Sequence, residues 1–196
     1  MAISPSLPAL FIGVMKKATT MQETILHSQA IYDGKIVHLS VLDVRLPDGK
    51  TAKRELVTHS GAVAIVALDE QQRVLLVRQY RIAANQVLTE VPAGTLNPGE
   101  DPLTCAVREM QEETRYKPGK IEPLGGIFVA PGYTTEFIHL FLASDLQESA
   151  LAMDDDEFIE LDRVPFSEAI AMIERGDIRD GKSVAGILRA ARKLGL

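Results

Sequence analysis

Three glutamates near the middle of the chain have the spacing of side chains that meet on a helix. Glu109, Glu112 and Glu113 stand at positions i, i+3 and i+4, so a helix would place them on one face, about 5–6 Å apart. Their like charges repel, and a divalent cation would remove that repulsion. Mg²⁺ prefers carboxylate oxygens and usually adds water and substrate phosphates to its shell. Most glutamate-rich helix faces are simply solvated, so the surrounding residues must decide between a metal site and an exposed face.

The stretch around the glutamates favours the metal site. It contains Gly94, five residues, Glu100, seven residues, and the run Arg108-Glu109-Met110-Gln111-Glu112-Glu113-Thr114-Arg115-Tyr116. This resembles the signature of the Nudix hydrolase family, G-x5-E-x7-R-E-U-x-E-E-x-G-U with U a bulky apolar residue. Six of the seven fixed residues are present. The exception is Arg115, where the family has a glycine that commonly closes the helix in a left-handed conformation. Arginine in that conformation would carry about 1 kcal/mol of backbone strain relative to glycine, or else the helix ends differently here. In either case no metal ligand is lost.

The resemblance implies a hydrolase that cleaves a pyrophosphate bond with two or three Mg²⁺ or Mn²⁺ ions. The implied metal-binding residues are the main-chain carbonyl of Ala93 and the side chains of Glu100, Glu109, Glu112 and Glu113. Glu100 would support the cluster from the loop. Arg108 would orient the carboxylates, and Arg108 and Glu112 are implied in catalysis. The ions would neutralise the diphosphate, activate water and stabilise the leaving phosphate.

Three further features resemble the ADP-ribose pyrophosphatase branch of that family. The chain has strands before the signature, and its segment Arg78-Gln79-Tyr80-Arg81-Ile82-Ala83 resembles one that places an arginine on the substrate phosphates. Pro131 lies 15 residues beyond Tyr116, the proline spacing associated with that branch. The implied substrate-binding residues are His59, Arg78, Arg81, Pro131, Gly132 and Glu136. Each also has a structural interpretation, as a surface charge, a strand residue or a turn.

An acidic run, Asp154-Asp155-Asp156-Glu157, supplies the remaining candidates. Such a run is usually a solvated loop. In the branch that the chain resembles, an acidic loop after the last core strand supplies the catalytic base or another metal ligand. That resemblance implies Glu157 first, as base and metal ligand, and Asp155 second. The other three histidines, His27, His38 and His139, lie in apparent strands, and we expect structural roles for them.

Composition narrows the class of protein. The chain has 46% hydrophobic and 24% charged residues, as soluble globular proteins do. Its net charge of −6 argues against a nucleic-acid partner. The single cysteine, Cys105, excludes an internal disulfide, suits a reducing cytoplasm and is expected to be a small buried side chain. The apolar run 7–15 is too short to span a bilayer and is followed by lysines, so we expect no membrane segment and no signal peptide.

The chain divides into three regions. Residues 1–20 are interpreted as a loose tail or a short docking segment, with Met15 or Met21 as alternative natural starts. Residues 21–58 are a strand region with turn signals at Asp33-Gly34 and Pro47-Asp48-Gly49. Two or three antiparallel strands are marginal alone, so we expect them to pack on the following domain or on a second copy. Residues 59–196 form the predicted Nudix domain.

The periodicity of that domain predicts strands and helices in mixed order. Apolar runs predict strands at 61–68, 74–80, 87–91, 121–129 and 137–143. The main helix starts at Asp101-Pro102, a good cap and first residue, with an apolar stripe of Leu103, Ala106 and Met110 beside Val107. Two more helices are predicted at 166–175 and 183–194. The fold class is therefore α+β, a layered α/β/α sandwich of the Nudix type with an N-terminal antiparallel strand extension.

These features together predict hydrolysis of ADP-ribose, or a related nucleoside diphosphate sugar, to a nucleoside monophosphate and a sugar phosphate. GDP-mannose, NADH and dinucleoside polyphosphates are alternative substrates of the same chemistry. A sensor that binds a nucleotide sugar without turnover is a further alternative, although the intact glutamates argue against it. We expect a cytoplasmic homodimer in which the N-terminal strands exchange between subunits and help to form the adenine pocket.

Overall fold

The computed structural model describes residues 21–152 and 158–196. The tail 1–20, with Met15, and the acidic candidates Asp155 and Glu157 lie outside these residues. The strands are Thr24–Asp33 (β1), His38–Arg45 (β2), Thr51–Thr58 (β3), Ala62–Leu68 (β4), Arg73–Arg81 (β5), Gln86–Glu90 (β6), Ala93–Thr95 (β7), Tyr116–Phe128 (β8), Phe137–Glu148 (β9) and Glu160–Pro165 (β10). The helices are Pro102–Thr114 (α1), Phe166–Arg175 (α2) and Gly181–Leu194 (α3). Among the described residues, no helix is long and apolar enough to cross a membrane.

The first three strands form a separate antiparallel sheet in the order β1-β2-β3. The two predicted turns connect them, and Gly49 adopts the positive φ of 89° that the second turn requires. Strand β1 is exposed along its whole length. Strand β3 continues into the rest of the molecule, because the Val57 amide donates to the Tyr133 carbonyl at 2.8 Å and the Thr135 amide donates to the Val57 carbonyl at 3.0 Å.

The larger sheet of the described chain is centred on β4, which is buried at every position. Its path is β10-β5-β4-β9-β8, with β6 on β5 and β7 on β4. Only the pairing of β4 with β9 is parallel among these strands. Side chains alternate between the two faces of β4: Val63 and Ile65 pack with Cys105 and Met110 of α1, whereas Val66 packs in the core that contains α2 and α3. This arrangement confirms the predicted α/β/α layers.

Helix α1 begins where the sequence predicts but presents a different face. Asp101 caps it, since its Oδ2 accepts hydrogen bonds from the amides of Leu103 and Thr104, both at 3.1 Å. The buried residues are Cys105, Ala106, Glu109, Met110, Glu113 and Thr114. The helix is rotated so that Glu109 and Glu113 lie towards the sheet, and this rotation leaves Leu103 44% exposed. Leu103 was therefore wrongly predicted to belong to the buried stripe, whereas Ala106 and Met110 are buried and Val107 beside them is partly buried.

Two strands differ from the prediction for identifiable reasons, and the three-residue strand β7 was also not predicted. Strand β10 was not predicted, because it is an edge strand of mostly exposed polar residues beside β5. Strand β8 is longer than predicted, because Pro118 and Pro123 interrupt its apolar pattern. It tolerates them as an edge strand with a register shift between Pro123 and Gly125. Helix α3 begins at Gly181, which was predicted to lie before the helix.

Candidate active site

Helix α1 directs two of the three glutamates to one cationic atom. Nη1 of Arg108 donates to Oε1 of Glu109 at 2.7 Å and to Oε2 of Glu112 at 2.8 Å. The i, i+3 spacing on the helix therefore brings the two carboxylates to a common point, as predicted. Glu109 and Glu113 are almost fully buried, at 8% and 6% exposure.

Glu100 fixes the arginine from the loop that precedes α1. Its Oε1 and Oε2 accept from Nε and Nη2 of Arg108, both at 3.0 Å, and Oε2 also accepts from the amide of Asn97 at 2.9 Å. These bonds, with Arg108 as the main cause, lower the pKa of Glu100 to about 2. The hydrogen bond that Arg108 donates to Glu100 is also the main cause of the raised pKa of Arg108. Glu100 thus contacts the cluster through Arg108.

The backbone before the loop contacts the other side of the glutamate cluster. The amide of Ala93 donates to Oε2 of Glu113 at 3.0 Å. A Cβ atom at position 94 would lie 1.8 Å from Cδ of Glu109, so Gly94 is required for this close approach. Buried Cys105 lies beneath the same loop, where burial raises the pKa of its thiol to about 12 and keeps it protonated.

The side chains of this cluster suit a hard cation, since they offer carboxylate oxygens. In residues 21–152 and 158–196, no three His, Cys, Asp or Glu side chains converge in the geometry of a metal site. Arg108 supplies the positive charge between Glu109 and Glu112 instead. The two carboxylates are consequently already held together by a cation.

The carboxylates line one side of a large cavity. Ala93, Gly94, Arg108, Glu109 and Glu112 lie along it, and the cavity measures about 1070 Å³. Small-molecule sites usually have volumes of about 300–1,000 Å³. The space therefore suits a ligand as large as a nucleotide sugar.

Basic side chains line another part of the same cavity. Arg81 and Lys182 both reach it, and both bind the buried carboxylate of Glu90. Arg81 was predicted from the sequence, whereas Glu90 and Lys182 were not. One signal was available, because Glu90 is a charged residue directly before the apolar Val91 and close to the start of the signature at Gly94. No local pattern marks Lys182, which comes near Arg81 only through the fold.

Arg78 and Arg81 lie on opposite faces of β5, because they are three residues apart on a strand. The cavity is lined by Gln79 and Arg81 but, among the described residues, not by Arg78. Arg78 instead pairs with Glu160 of β10, with Nη1 and Oε2 2.9 Å apart. The structure therefore does not bring Arg78 to the predicted substrate site.

The loop with Pro131 is only partly directed to the cavity. Glu136 lines it, whereas Pro131 and Gly132 are exposed and are not among the described lining residues. His59 has a structural contact, since its Nδ1 accepts from the amide of Gly61 at 3.0 Å. Its neighbour Ser60, not His59, lines the cavity.

The segment before the acidic run is attached to α1. The amide of Leu151 donates to the carbonyl of Gln111 at 3.2 Å, and Nε2 of Gln111 donates to Oγ of Ser149 at 2.9 Å. Chain leading to the acidic run is thereby held beside the helix that carries the glutamates. The positions of Asp155 and Glu157 themselves lie outside the described residues.

Comparisons with known proteins identify the family of the two regions. A family model described as the NUDIX domain matches residues 58–186, and the nucleoside diphosphate sugar hydrolase N-terminal domain matches residues 23–57. A crystal structure of an ADP compounds hydrolase superposes with a TM-score of 0.80 at 21% identity, covering 89% of this chain and 95% of that chain. At this identity the superposition supports the fold alone.

Relatives with higher identity extend over nearly the whole described chain. The methanol dehydrogenase activator of Bacillus methanolicus is 39% identical, covering 85% of this chain and 91% of that protein. The ADP-ribose pyrophosphatase of Bacillus subtilis (strain 168) is 36% identical, with coverage of 86% and 92%. The GDP-mannose pyrophosphatase of Escherichia coli (strain SMS-3-5 / SECEC) is 35% identical, with coverage of 84% and 93%. With the domain matches, these identities show that the chain belongs to the Nudix hydrolase family, as a pyrophosphatase acting on nucleoside diphosphate sugars.

Proposed function

We propose that this Nudix pyrophosphatase hydrolyses ADP-ribose to AMP and ribose 5-phosphate. The observation that carries the proposal is that one cavity joins the carboxylates of α1 to the cations Arg81 and Lys182. A diphosphate needs both, because metal ions and fixed cations neutralise different parts of its charge. The ADP-ribose pyrophosphatase relative, at 36% identity, supports the choice of sugar nucleotide.

Divalent ions would be held by the cluster on α1. We assign two or three Mg²⁺ or Mn²⁺ ions to the side chains of Glu109, Glu112 and Glu113, the carbonyl of Ala93 and, from the acidic run, Glu157. When bound, the ions neutralise the diphosphate and acidify a water molecule. The shared Arg108 contact supports this assignment, because it holds Glu109 and Glu112 at one point. Glu100 orients Arg108 and so acts on the cluster indirectly.

The protein side chains have two further roles in this proposal, binding the diphosphate and taking a proton from water. Arg81 and Lys182 bind the diphosphate, and Glu136 faces the same cavity from the loop after β8. A carboxylate of the acidic run, Glu157 or else Asp155, takes a proton from a water molecule while the oxygen of that water bonds to phosphorus. The bridging P–O bond breaks, and the bridging oxygen leaves with the other phosphate. Arg78, which pairs with Glu160 away from the cavity, has no task here.

We also propose that residues 21–58 make a homodimer and residues 59–196 the catalytic domain. Apolar side chains of β1 are exposed in this chain, among them Ile25 at 60%, Ile31 at 52% and Tyr32 at 59%. An exposed strand with apolar side chains is a template for pairing. A second copy would cover it and complete the adenine pocket beside the turn 34–37, of which Ile36 already lines the cavity.

A substrate panel tests the proposed reaction. Wild-type protein with Mg²⁺ is incubated with ADP-ribose, GDP-mannose, NADH and a dinucleoside polyphosphate, and the products are identified by chromatography and mass spectrometry. AMP with ribose 5-phosphate, at the highest kcat/KM of the panel, is the expected result. A higher kcat/KM for GDP-mannose would instead favour the second candidate, which the 35% identical relative suggests. Binding without product would indicate a sensor.

A further inference from the structure

Glu90 is a buried carboxylate that holds two cations of the cavity wall. Its side chain is 2% exposed. Oε1 accepts from Nε of Arg81 at 2.9 Å, and Oε2 accepts from Nη2 of Arg81 at 2.8 Å. Oε2 also accepts from Nζ of Lys182 at 2.5 Å. Glu90 is thus the common partner of Arg81 and Lys182, two of the basic residues that reach the cavity.

The surrounding charges balance. Lys182 donates a second hydrogen bond to Oδ2 of Asp180 at 2.9 Å, and Asp180 caps α3 by accepting from the amide of Ser183 at 3.0 Å. Two cations therefore face two carboxylates in one network. Burial raises the pKa of Glu90, but the bonds and charges of Arg81 and Lys182 outweigh it and lower the pKa overall. Glu90 accordingly stays ionised at neutral pH.

The bidentate pair also orients the guanidinium of Arg81. Nε and Nη2 of Arg81 donate to the carboxylate of Glu90, and Nη1 is not part of that ion pair. The hydrogen bond to Glu90 is the main cause of the raised pKa of Arg81, and the charges of Glu113 and Asp180 add to it. Arg81 is therefore held in the electrostatic field of both the α1 cluster and the cap of α3.

A short piece of backbone connects these cations to the α1 cluster. Next to Glu90, the amide of Val91 donates to the buried Oγ of Ser183 at 2.8 Å. Two residues further on, the amide of Ala93 donates a hydrogen bond to Oε2 of Glu113. The next residue, Gly94, packs against the carboxylate of Glu109. Residues 90–94 consequently set the distance between the basic and acidic parts of the cavity.

We infer that Glu90 is a positioning residue, which holds Arg81 and Lys182 together so that both contact the diphosphate of the substrate. The inference rests on the proposed function, since it requires that the cavity binds a nucleoside diphosphate compound. Without the Glu90 charge, two partly buried cations face each other with less compensation, which is strongly unfavourable in a protein interior. Arg81, whose side chain is 40% exposed, then turns towards solvent and leaves the diphosphate.

Glu90→Gln tests this role, because it removes the charge and keeps the size of the side chain. We expect KM for ADP-ribose to rise at least about tenfold while kcat changes by less than about threefold, the signature of lost substrate binding. Glu160→Gln is the matched control. It also removes the carboxylate partner of an arginine of β5, but that arginine, Arg78, does not line the cavity. It should change neither constant.

A double-mutant cycle separates positioning from a purely structural role. In the Arg81→Gln background, Glu90→Gln should change kcat/KM by less than about twofold, because its main target is already gone. A structural role predicts that the two effects multiply. Multiplying effects, or an unchanged KM in Glu90→Gln, would overturn the inference. If Glu90→Gln does not fold by circular dichroism, Glu90→Asp, which withdraws the charge by one methylene, is judged by the same KM criterion.

Failure of the inference differs from failure of the proposed function. If the wild type turns over ADP-ribose and Glu90→Gln has an unchanged KM, only the inference is contradicted. If the wild type turns over no substrate, ADP binding by calorimetry replaces KM, and weaker ADP binding by Glu90→Gln supports the inference alone. A wild type that neither turns over substrate nor binds ADP contradicts both.

Discussion

The backbone of Gly94 lies directly against the carboxylate of Glu109, so that a Cβ atom there would come within 1.8 Å of Cδ. The obstructing atom belongs to the end of a flexible side chain, which can move. A methyl group at position 94 therefore displaces Glu109 without preventing folding. The glycine of the signature is explained here by space beside a carboxylate, not by its backbone angles.

We predict that Gly94→Ala reduces kcat with Mg²⁺ at least about a hundredfold, because misplacing a catalytic group by about 1 Å can have that effect. Steady-state kinetics on the best substrate of the panel measures it. Gly186→Ala is the control, since its Cβ would meet Cγ2 of Val66 at 3.1 Å in the core. It should keep kcat, because position 186 packs on the α2–α3 side of the sheet and α1 on the other. Equal losses of kcat in both variants would contradict the explanation.

Arg115 ends α1 in the left-handed conformation, with φ 65° and ψ 21°. We predict that Arg115→Gly stabilises the protein by about 1 kcal/mol, which raises Tm by about 2–4 °C for a chain of this size. Thermal unfolding followed by circular dichroism checks it. Arg115→Ala keeps the backbone strain and removes the side chain, so it should give no such gain. An equal gain in Arg115→Ala would show that the side chain, not the backbone, is responsible.

Local rules account for the parts of the molecule that could be predicted. The start of α1 at Asp101-Pro102, the meeting of Glu109 with Glu112 and the left-handed Arg115 depend on residues within one or two helical turns. The buried strand β4 was also predictable, because every residue in it is apolar. In each case, the deciding contacts lie close in the sequence or concern one strand alone.

Contacts between distant segments account for what was missed. Glu90 and Lys182 are 92 residues apart, and no period or spacing relates them. The face of β5 that reaches the cavity depends on packing across the sheet, so the sequence suggested both Arg78 and Arg81 while only Arg81 lines it. The buried face of α1 likewise includes Glu109 and Glu113 beside Ala106 and Met110, and it leaves Leu103 exposed, which its apolar pattern did not indicate.

The low pKa of Glu100 predicts a pH dependence of stability in metal-free protein. The folded value of about 2 lies below the ordinary 4.5, so the stabilisation is fully present above about pH 4.5 and is lost as the pH falls towards 2. We compare urea unfolding of the wild type and Glu100→Gln in EDTA. Their difference in unfolding free energy should be constant above pH 5 and shrink between pH 4.5 and 2. A difference that stays constant through this window would refute the Arg108–Glu100 interpretation.

The exposed strand β1 predicts a dimer that a charge can disrupt. Ile31→Glu places a carboxylate on an apolar position that the second copy would cover, and burying an unpaired charge is costly. We expect sedimentation velocity to show a dimer for the wild type and mostly monomer for Ile31→Glu, together with a higher KM if the adenine pocket is shared. Gln29→Glu adds the same charge to the same strand without removing an apolar side chain, and should remain dimeric. A monomeric wild type at micromolar concentration would exclude the proposed assembly.

The glutamates of α1 predict that Mg²⁺ stabilises the folded protein as well as supporting turnover. A ligand that binds only the folded state adds about 2.7 kcal/mol at a hundred times its Kd, so Mg²⁺ should raise Tm, and EDTA should abolish hydrolysis. Glu112→Gln removes one of the two carboxylates that share Arg108, and it should lose the Mg²⁺-dependent rise in Tm and most of kcat. Glu122→Gln removes a carboxylate that binds surface lysines and should keep both. If Glu112→Gln keeps full activity and the full Mg²⁺ response, Glu112 is not a metal ligand.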